Sequence, residues 1–366
     1  MIGLSKARLM VVGGGALGAC TALGLIRAGA RVTLVDSAPA THSASGVAAG
    51  MLAPAFESVL DPQSGLSFDL LRRARDLWTP LAQGLGEIGL HRGGGVWVDL
   101  PGCPPRRQTI AEALERIGAR IARPPPLALD SALAATAVFT PEEARLEPLA
   151  TLSALDHAFR AEGGEVVRAR LEAMEGGWAS LSDGRRLAAD ALVVAAGAQS
   201  AHLAPELAQL IPIKGQILSY PDLTVPVATP ALRCAQGYAV GGADGLKVGA
   251  TMEAGVRDLT IDPEVTERLH ALAVRLYPGA AALTPRAGVG VRAASADGRP
   301  LIGPSAREGV WIAAGARRNG WLLAPLAAQI IVAGLQGHEA NDDAALLHPR
   351  RNDARPATGA AAISRD

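Results

Sequence analysis

The chain has 366 residues, 49% hydrophobic and 19% charged, enough to bury more than one packed core. Lys and Arg (35) balance Asp and Glu (35), and aromatics are only 3%, so the basic excess and the base-stacking platforms of a nucleic-acid binder are both missing. Cys20, Cys103 and Cys234 are far apart with no C-x-x-C pair, and the seven histidines lack ligand spacing, so neither a disulfide framework nor a metal site is expected.

From the N-terminus, Lys6 and Arg8 precede an apolar run from Leu9 to Ile26, and Leu17-Gly18-Ala19-Cys20 imitates a lipoprotein cleavage box. Gly13, Gly14, Gly15 and Gly18 break that run, and a second strand pattern follows at once. Cleavage there would discard a cofactor site, so the expectation is a cytoplasmic protein with no stable membrane insertion. Arg8–Val12 reads as a strand, Ala16–Ala28 as a helix stopped by Gly29, and Arg31–Val35 as a second strand. Such a βαβ unit implies a doubly wound parallel sheet.

Further along, Phe68–Leu85 has the spacing of one amphipathic helix. Gly94–Leu100, Ile213–Tyr220, Ala239–Val248 and Arg286–Val291 read as strands, and Thr140-Pro141-Glu142-Glu143 as a capping box that opens a helix. Two more apolar strands, Ala191–Ala195 and Val310–Ala314, run into Gly197 and Gly315, and the second leads to a helix from Gly320 to Gly334. The expected fold class is therefore α/β with α+β: a Rossmann-like cofactor domain (residues 1–65, 140–208 and 290–338) with a parallel sheet. It is interrupted by a mostly antiparallel substrate domain (66–139 and 209–289). The Ala/Arg/Asp-rich residues 339–366 are expected to be a loose tail.

Gly13, Gly15 and Gly18 form G-x-G-x-x-G between strand and helix. The first allows a tight turn, the second lets backbone amides approach a pyrophosphate, and the third lets helix and strand pack closely. Asp36 closes the second strand, where a carboxylate binds ribose hydroxyls and repels a 2′-phosphate. A dinucleotide site follows, with NADP disfavoured. The choice between FAD and NAD is less direct. The second strand leads into Ser45-Gly46-Val47-Ala48-Ala49-Gly50-Met51-Leu52 instead of regular βαβ repeats, and this small-residue stretch suits a backbone pressed against a bulky ring. Tight sheet-to-helix packing explains the same residues, and pattern alone leaves both open.

The N-terminal motif occurs in order with S-x-x-A-A-G-M-L, Pro212-Ile213-Lys214-Gly215-Gln216, Gly249-Ala250-Thr251-Met252, Gly290-Val291-Arg292, Asp297-Gly298-Arg299-Pro300-Leu301-Ile302-Gly303, and Ala314-Gly315 through Arg318-Asn319-Gly320 to Ala324-Pro325. This series resembles the D-amino-acid oxidase superfamily, and most closely the glycine oxidases of thiamine biosynthesis, over nearly the whole chain except the tail. The resemblance implies FAD and a substrate carboxylate gripped by Arg292. Tyr238 would add a hydrogen bond to that carboxylate, Met252 would line the pocket, and Arg318 would stand beside the flavin. It also implies cofactor contacts at Gly13, Gly15, Ala16, Leu17, Gly18, Asp36, Ser37, Ser45, Ala49, Gly50, Met51 and Gly197. The last contacts would come from Arg317, Arg318, Asn319, Gly320, Trp321 and Leu322.

Several positions depart from the pattern, among them Ala316-Arg317, which replaces a more usual His-aromatic pair. Asp36 replaces a usual Glu, Gln236 stands where His is common, and Trp321 is bulky for its place. Related sarcosine oxidases attach flavin through a cysteine near the position of Arg292, where this chain has none, so FAD is expected to be non-covalent. The implied reaction is oxidative deamination of glycine, sarcosine or a small D-amino acid, with O2 as electron acceptor. Two alternatives stay open: a D-amino-acid dehydrogenase passing electrons to a quinone, and a non-catalytic or NAD-binding Rossmann protein. Assembly into a homo-oligomer stays open as well.

Overall fold

The computed structural model describes residues 4–125 and 129–351. Its first sheet has six strands, in the order Leu301–Pro304, Val310–Ala314, Ala191–Val194, Arg8–Val12, Arg31–Val35, Glu165–Val167. All neighbours run parallel except the edge pair Leu301–Pro304 and Val310–Ala314. Along Arg8–Val12 the side chains alternate between two cores. Leu9 and Val11 face the helices Ala16–Arg27 and Gly320–Leu335, while Met10 and Val12 face a layer that includes Leu171, Ala179 and Leu181 of a three-stranded antiparallel sheet. Burial on both faces explains why these strands read as unbroken apolar runs.

The second sheet is built on Ile211–Tyr220 and Arg286–Ala294, antiparallel along their whole length. From Ile211–Tyr220 it continues through Gly245–Gly249, Gly237–Gly242, Ala231–Cys234, Gly95–Trp97 and Val138–Thr140. Helix Pro263–Leu276 covers one face by packing Val265, Leu269 and Leu272 on Leu218, Leu246 and Val248. Asp262 starts that helix by accepting from Glu264 N (2.8 Å) and Val265 N (3.3 Å). The two sheets are stitched together where Ala294 bridges Ala316 and Arg317 N donates to Ala293 O at 2.9 Å.

Several local expectations change. The single helix over 68–85 is two, Phe68–Asp76 and Trp78–Gln83, because Pro80 has no N–H to continue the first ladder. The strand expected over 239–248 folds into a hairpin around Ala243-Asp244, with Gly245 at φ 90°. Thr140-Pro141-Glu142-Glu143 opens no helix. Thr140 ends a strand, and the Glu143 carboxylate instead accepts from Ala55 N (3.0 Å) and Phe56 N (3.1 Å), capping helix Pro54–Leu60 from a distance in sequence. Nor is the tail loose as far as it is described. Asn341 caps helix Asp342–Leu347, Leu347 is fully buried, and Arg351 pairs with Asp297 at 2.6 Å. Residues 352–366 lie outside the described residues. No helix among the described residues is long and apolar enough to cross a membrane, and no group of three or more His, Cys, Asp or Glu there could hold a metal ion.

Candidate active site

The ends of the parallel strands open into a cleft that runs from the glycine turn to the second sheet. Gly13 sits at φ 104°, where a Cβ would lie 2.5 Å from Ala195 O. A Cβ on Gly18 would lie 1.8 Å from Gly13 O. Only glycine permits this turn, and the turn aims the N-terminus of helix Ala16–Arg27 into the cleft. Asp36 Oδ2 accepts from Gly14 N at 2.9 Å and Ser45 Oγ from Ala16 N at 2.9 Å, which ties the second strand and the 45–52 stretch to the turn. A cradle of bare backbone at a helix N-terminus, with a carboxylate at the neighbouring strand end, fits a dinucleotide cofactor.

The expected cofactor contacts divide into two groups. Gly13, Gly15, Ala16, Leu17, Asp36, Ser37, Ser45, Gly197, Arg317, Arg318, Gly320 and Trp321 line the cleft, together with Gly14, Ala38, His42, Arg170 and Arg257, which the sequence did not single out. Gly18, Ala49, Gly50, Met51, Asn319 and Leu322 stand behind the wall. Gly50 and Met51 face the chain around Arg145 instead: a Cβ on Gly50 would meet Leu146 O at 2.0 Å, and Met51 pairs with Arg145. No cysteine lines the cleft among the described residues.

At its far end Arg292 enters from strand Arg286–Ala294. Its Nη1 donates to Thr251 O at 3.1 Å and approaches Met252 Sδ at 3.2 Å. Among the described residues no carboxylate forms an ion pair with it. Burial holds its guanidinium below the ordinary arginine value, opposed by Tyr238, yet it stays a cation. Tyr238 does not line the cleft proper. Burial raises its phenol, while Arg292, Arg233 and Arg318 pull it back down, so these groups form one electrostatic cluster. Met252 is partly exposed beside Arg292.

Arg317 adopts φ 49°, in the left-handed region, and pairs with Asp61, while Arg318 Nη2 donates to Glu57 Oε1 at 3.0 Å. Glu57 and its second partner Arg233, at 2.9 Å, are both buried and were not recognised in the sequence. Their only sequence signal is a charged residue inside an apolar stretch. Burial pushes the Glu57 carboxyl up, but Arg318 and Arg233 outweigh it and hold the group below the usual range. Burial also pushes Glu143, close by, up to about 7 against the pull of Arg233.

The two unusual residues resolve differently. Trp321 is buried and donates Nε1 to Ser45 O at 3.0 Å, while its own carbonyl accepts from Trp78 Nε1 at 2.8 Å. It is part of the cleft wall. Gln236 is exposed, with its side-chain oxygen accepting from Arg275 Nη1 at 3.1 Å, so it is held away from Arg292 on the helix side of the sheet.

Comparison with known proteins agrees with this architecture. A glycine oxidase from Pseudomonas aeruginosa is 30% identical over 374 residues, covering 93% of this chain and 98% of that protein. The tRNA 5-methylaminomethyl-2-thiouridine biosynthesis bifunctional protein MnmC of Caulobacter sp. (strain K31) is 32% identical over 96% of this chain, which spans 59% of that protein. Among solved structures, iminodiacetate oxidase from Chelativorans sp. BNC1 shares the fold with TM-score 0.80 at 24% identity, over 93% of this chain and 99% of that one. Glycine oxidase from Geobacillus kaustophilus does so with TM-score 0.77 at 24% identity, over 94% and 99%. The family model for FAD dependent oxidoreductases (DAO) matches residues 8–333, and the chain belongs to that family.

Proposed function

We propose that this FAD-dependent oxidoreductase deaminates a small amino acid, with glycine, sarcosine and small D-amino acids as the candidate substrates. One observation carries the reading: Arg292, a guanidinium with no carboxylate partner among the described residues, opens onto the same cleft as the glycine turn and Arg318. An unpaired arginine gives a substrate carboxylate two parallel charge-assisted bonds and so fixes the direction of its Cα–H. Tyr238 adds a hydroxyl to the carboxylate, and Met252 forms an apolar wall beside it. Arg318 and the amides at the start of helix Gly320–Leu335 supply positive potential at the flavin's place.

When bound, non-covalent FAD supplies the hydride acceptor for the Cα–H and, on reoxidation by O2, yields H2O2. The imino acid released hydrolyses to a 2-oxo acid and ammonia, or methylamine where the substrate is sarcosine, or passes to thiazole synthesis in a thiamine pathway. The balanced charge and scarce aromatics support a small substrate over an amine carried on RNA.

The test is anaerobic addition of glycine, sarcosine, D-alanine and D-proline to the purified yellow protein. Bleaching of the visible flavin band by one of them, absent in Arg292→Ala, is the expected result. No bleaching of the wild type by any of them sinks the small-amino-acid reading. Slow reoxidation of the bleached protein in air would move the acceptor from O2 to a quinone.

A further inference from the structure

We propose that Glu57 and Arg233 are positioning residues for Arg318, an inference that rests on the cleft being the flavin and substrate site. Arg233 fixes the Glu57 carboxylate, and Glu57 in turn fixes the guanidinium of Arg318 at the cleft wall. One oxygen does both tasks. Glu57 Oε1 accepts from Arg318 Nη2 at 3.0 Å and lies 2.9 Å from Arg233 Nη2, the latter off the hydrogen-bonding direction. The other oxygen, Oε2, is buried without a donor among the described residues. The carboxylate's orientation is therefore set by the two guanidiniums and not by satisfaction of all its lone pairs.

Each member is held from behind. Arg233 lies on strand Ala231–Cys234 directly opposite Tyr238, and its guanidinium stands 5.7 Å from the centre of the Phe56 ring. Phe56 precedes Glu57 in helix Pro54–Leu60, whose first amides are fixed by Glu143. Gly95 makes room for this packing, since a Cβ there would meet Glu143 Cγ at 2.8 Å and Phe56 Cε2 at 3.0 Å. Arg233 and Glu57 are almost wholly buried, whereas Arg318 keeps about a quarter of its side chain exposed (26%) and lines the cleft. The chain thus runs from the packed interior to the reacting face.

Stability alone is a poor reason for such a group. Withdrawing two cations and an anion from water costs about as much as their attraction returns, and apolar residues of similar volume pack as well. A geometric reason is at hand. Arg318 carries four rotatable side-chain bonds, and without a buried anchor its guanidinium would sample many positions around the flavin. Sharing Glu57 also neutralises part of the cluster, leaving Arg292 as the guanidinium free to take a carboxylate.

The experiment is a double-mutant cycle read on the midpoint potential of bound FAD, equilibrated with a chemical reductant and a reference dye, so that no amine substrate is needed. Glu57→Gln is measured in the wild type and in Arg318→Met. The expected result is a clear shift in the wild type that falls to less than about a third in the Arg318→Met background, because the effect passes through Arg318. Equal shifts in the two backgrounds, or none in either, overturn the proposal. Glu57→Gln leaves Arg233 buried without its partner; if that variant yields no folded yellow protein, Arg233→Lys enters the same cycle with the same criterion. Failure of all amines to bleach the wild type overturns the substrate reading and leaves this cycle to decide on Glu57 separately.

Discussion

Arg292 occupies the space that a side chain at Gly215 would need: a Cβ there would lie 2.3 Å from its Nη1 and 2.7 Å from its Cζ. The two residues stand on paired strands, where Gly215 faces Gly290, two residues before Arg292. The absent side chain lets the guanidinium lie flat against the sheet and reach Thr251 O. Gly215→Ala is expected to push Arg292 away and raise KM for the bleaching amine about tenfold, near 1.4 kcal/mol, with a smaller change in kcat, as for lost ground-state binding. Steady-state kinetics decide it, and an unchanged KM would remove Gly215 from the account of the grip.

Gly18 tolerates no side chain, because a Cβ would meet Gly13 O at 1.8 Å, and backbone cannot yield there without opening the turn. Gly18→Ala is expected to purify colourless or with under a tenth of the flavin of the wild type. The ratio of visible to ultraviolet absorbance reports it. A fully yellow variant would show that the turn does not hold the cofactor.

Trp321 ties helix Gly320–Leu335 to the 45–52 stretch through Ser45 O, and its ring lies 5.8 Å from that of Trp78. Trp321→Leu removes the indole donor and part of a buried aromatic pair. A loss of about 2–4 kcal/mol in urea unfolding is expected, with faster FAD release. Unchanged flavin release alongside lower stability would confine Trp321 to packing.

Glu143 makes the fold sensitive to pH near neutrality. Its carboxyl moves from an ordinary 4.5 to about 7 in the folded chain, chiefly by burial, so the native state keeps a proton that the unfolded state has lost. The stabilisation is complete below about 4.5 and disappears as pH rises through about 7, on the order of 3 kcal/mol in all. Glu143→Gln retains an oxygen for the amides of Ala55 and Phe56 and is expected to flatten that slope. Denaturant midpoints across the window test it; equal slopes in both proteins would mean that Glu143 is ionised throughout.

The parts of this molecule that repeat a local pattern were legible in the sequence. Arg8–Val12, Arg31–Val35 and Val310–Ala314 are buried on both faces, and their strand limits follow from composition alone. The glycine turn is as local, because its spacing encodes one backbone shape. Arg292 was reached through resemblance and not through any pattern of its own. Glu57, Arg233 and Glu143 were missed since their meaning lies in contacts between residues up to 261 positions apart, joined only when both sheets are in place. Glu143 was misread for the same reason. Its capping partners are real, but they belong to a helix 87–88 residues earlier.

Ala294 bridges Ala316, and Ala293 accepts from the amide of Arg317, so one short backbone seam separates Arg292 from Arg318. The spacing of the two backbones that carry Arg292 and Arg318 is consequently written in main-chain hydrogen bonds, while side chains such as Glu57 only aim the guanidiniums. Under the proposed function, substrate preference can then drift through side chains near Arg292, such as Met252, or through the loop that carries Arg257, while the spacing of the two backbones stays constant. On that reading, a lineage built on such a seam exchanges one amine for another without moving the strands that present the two arginines.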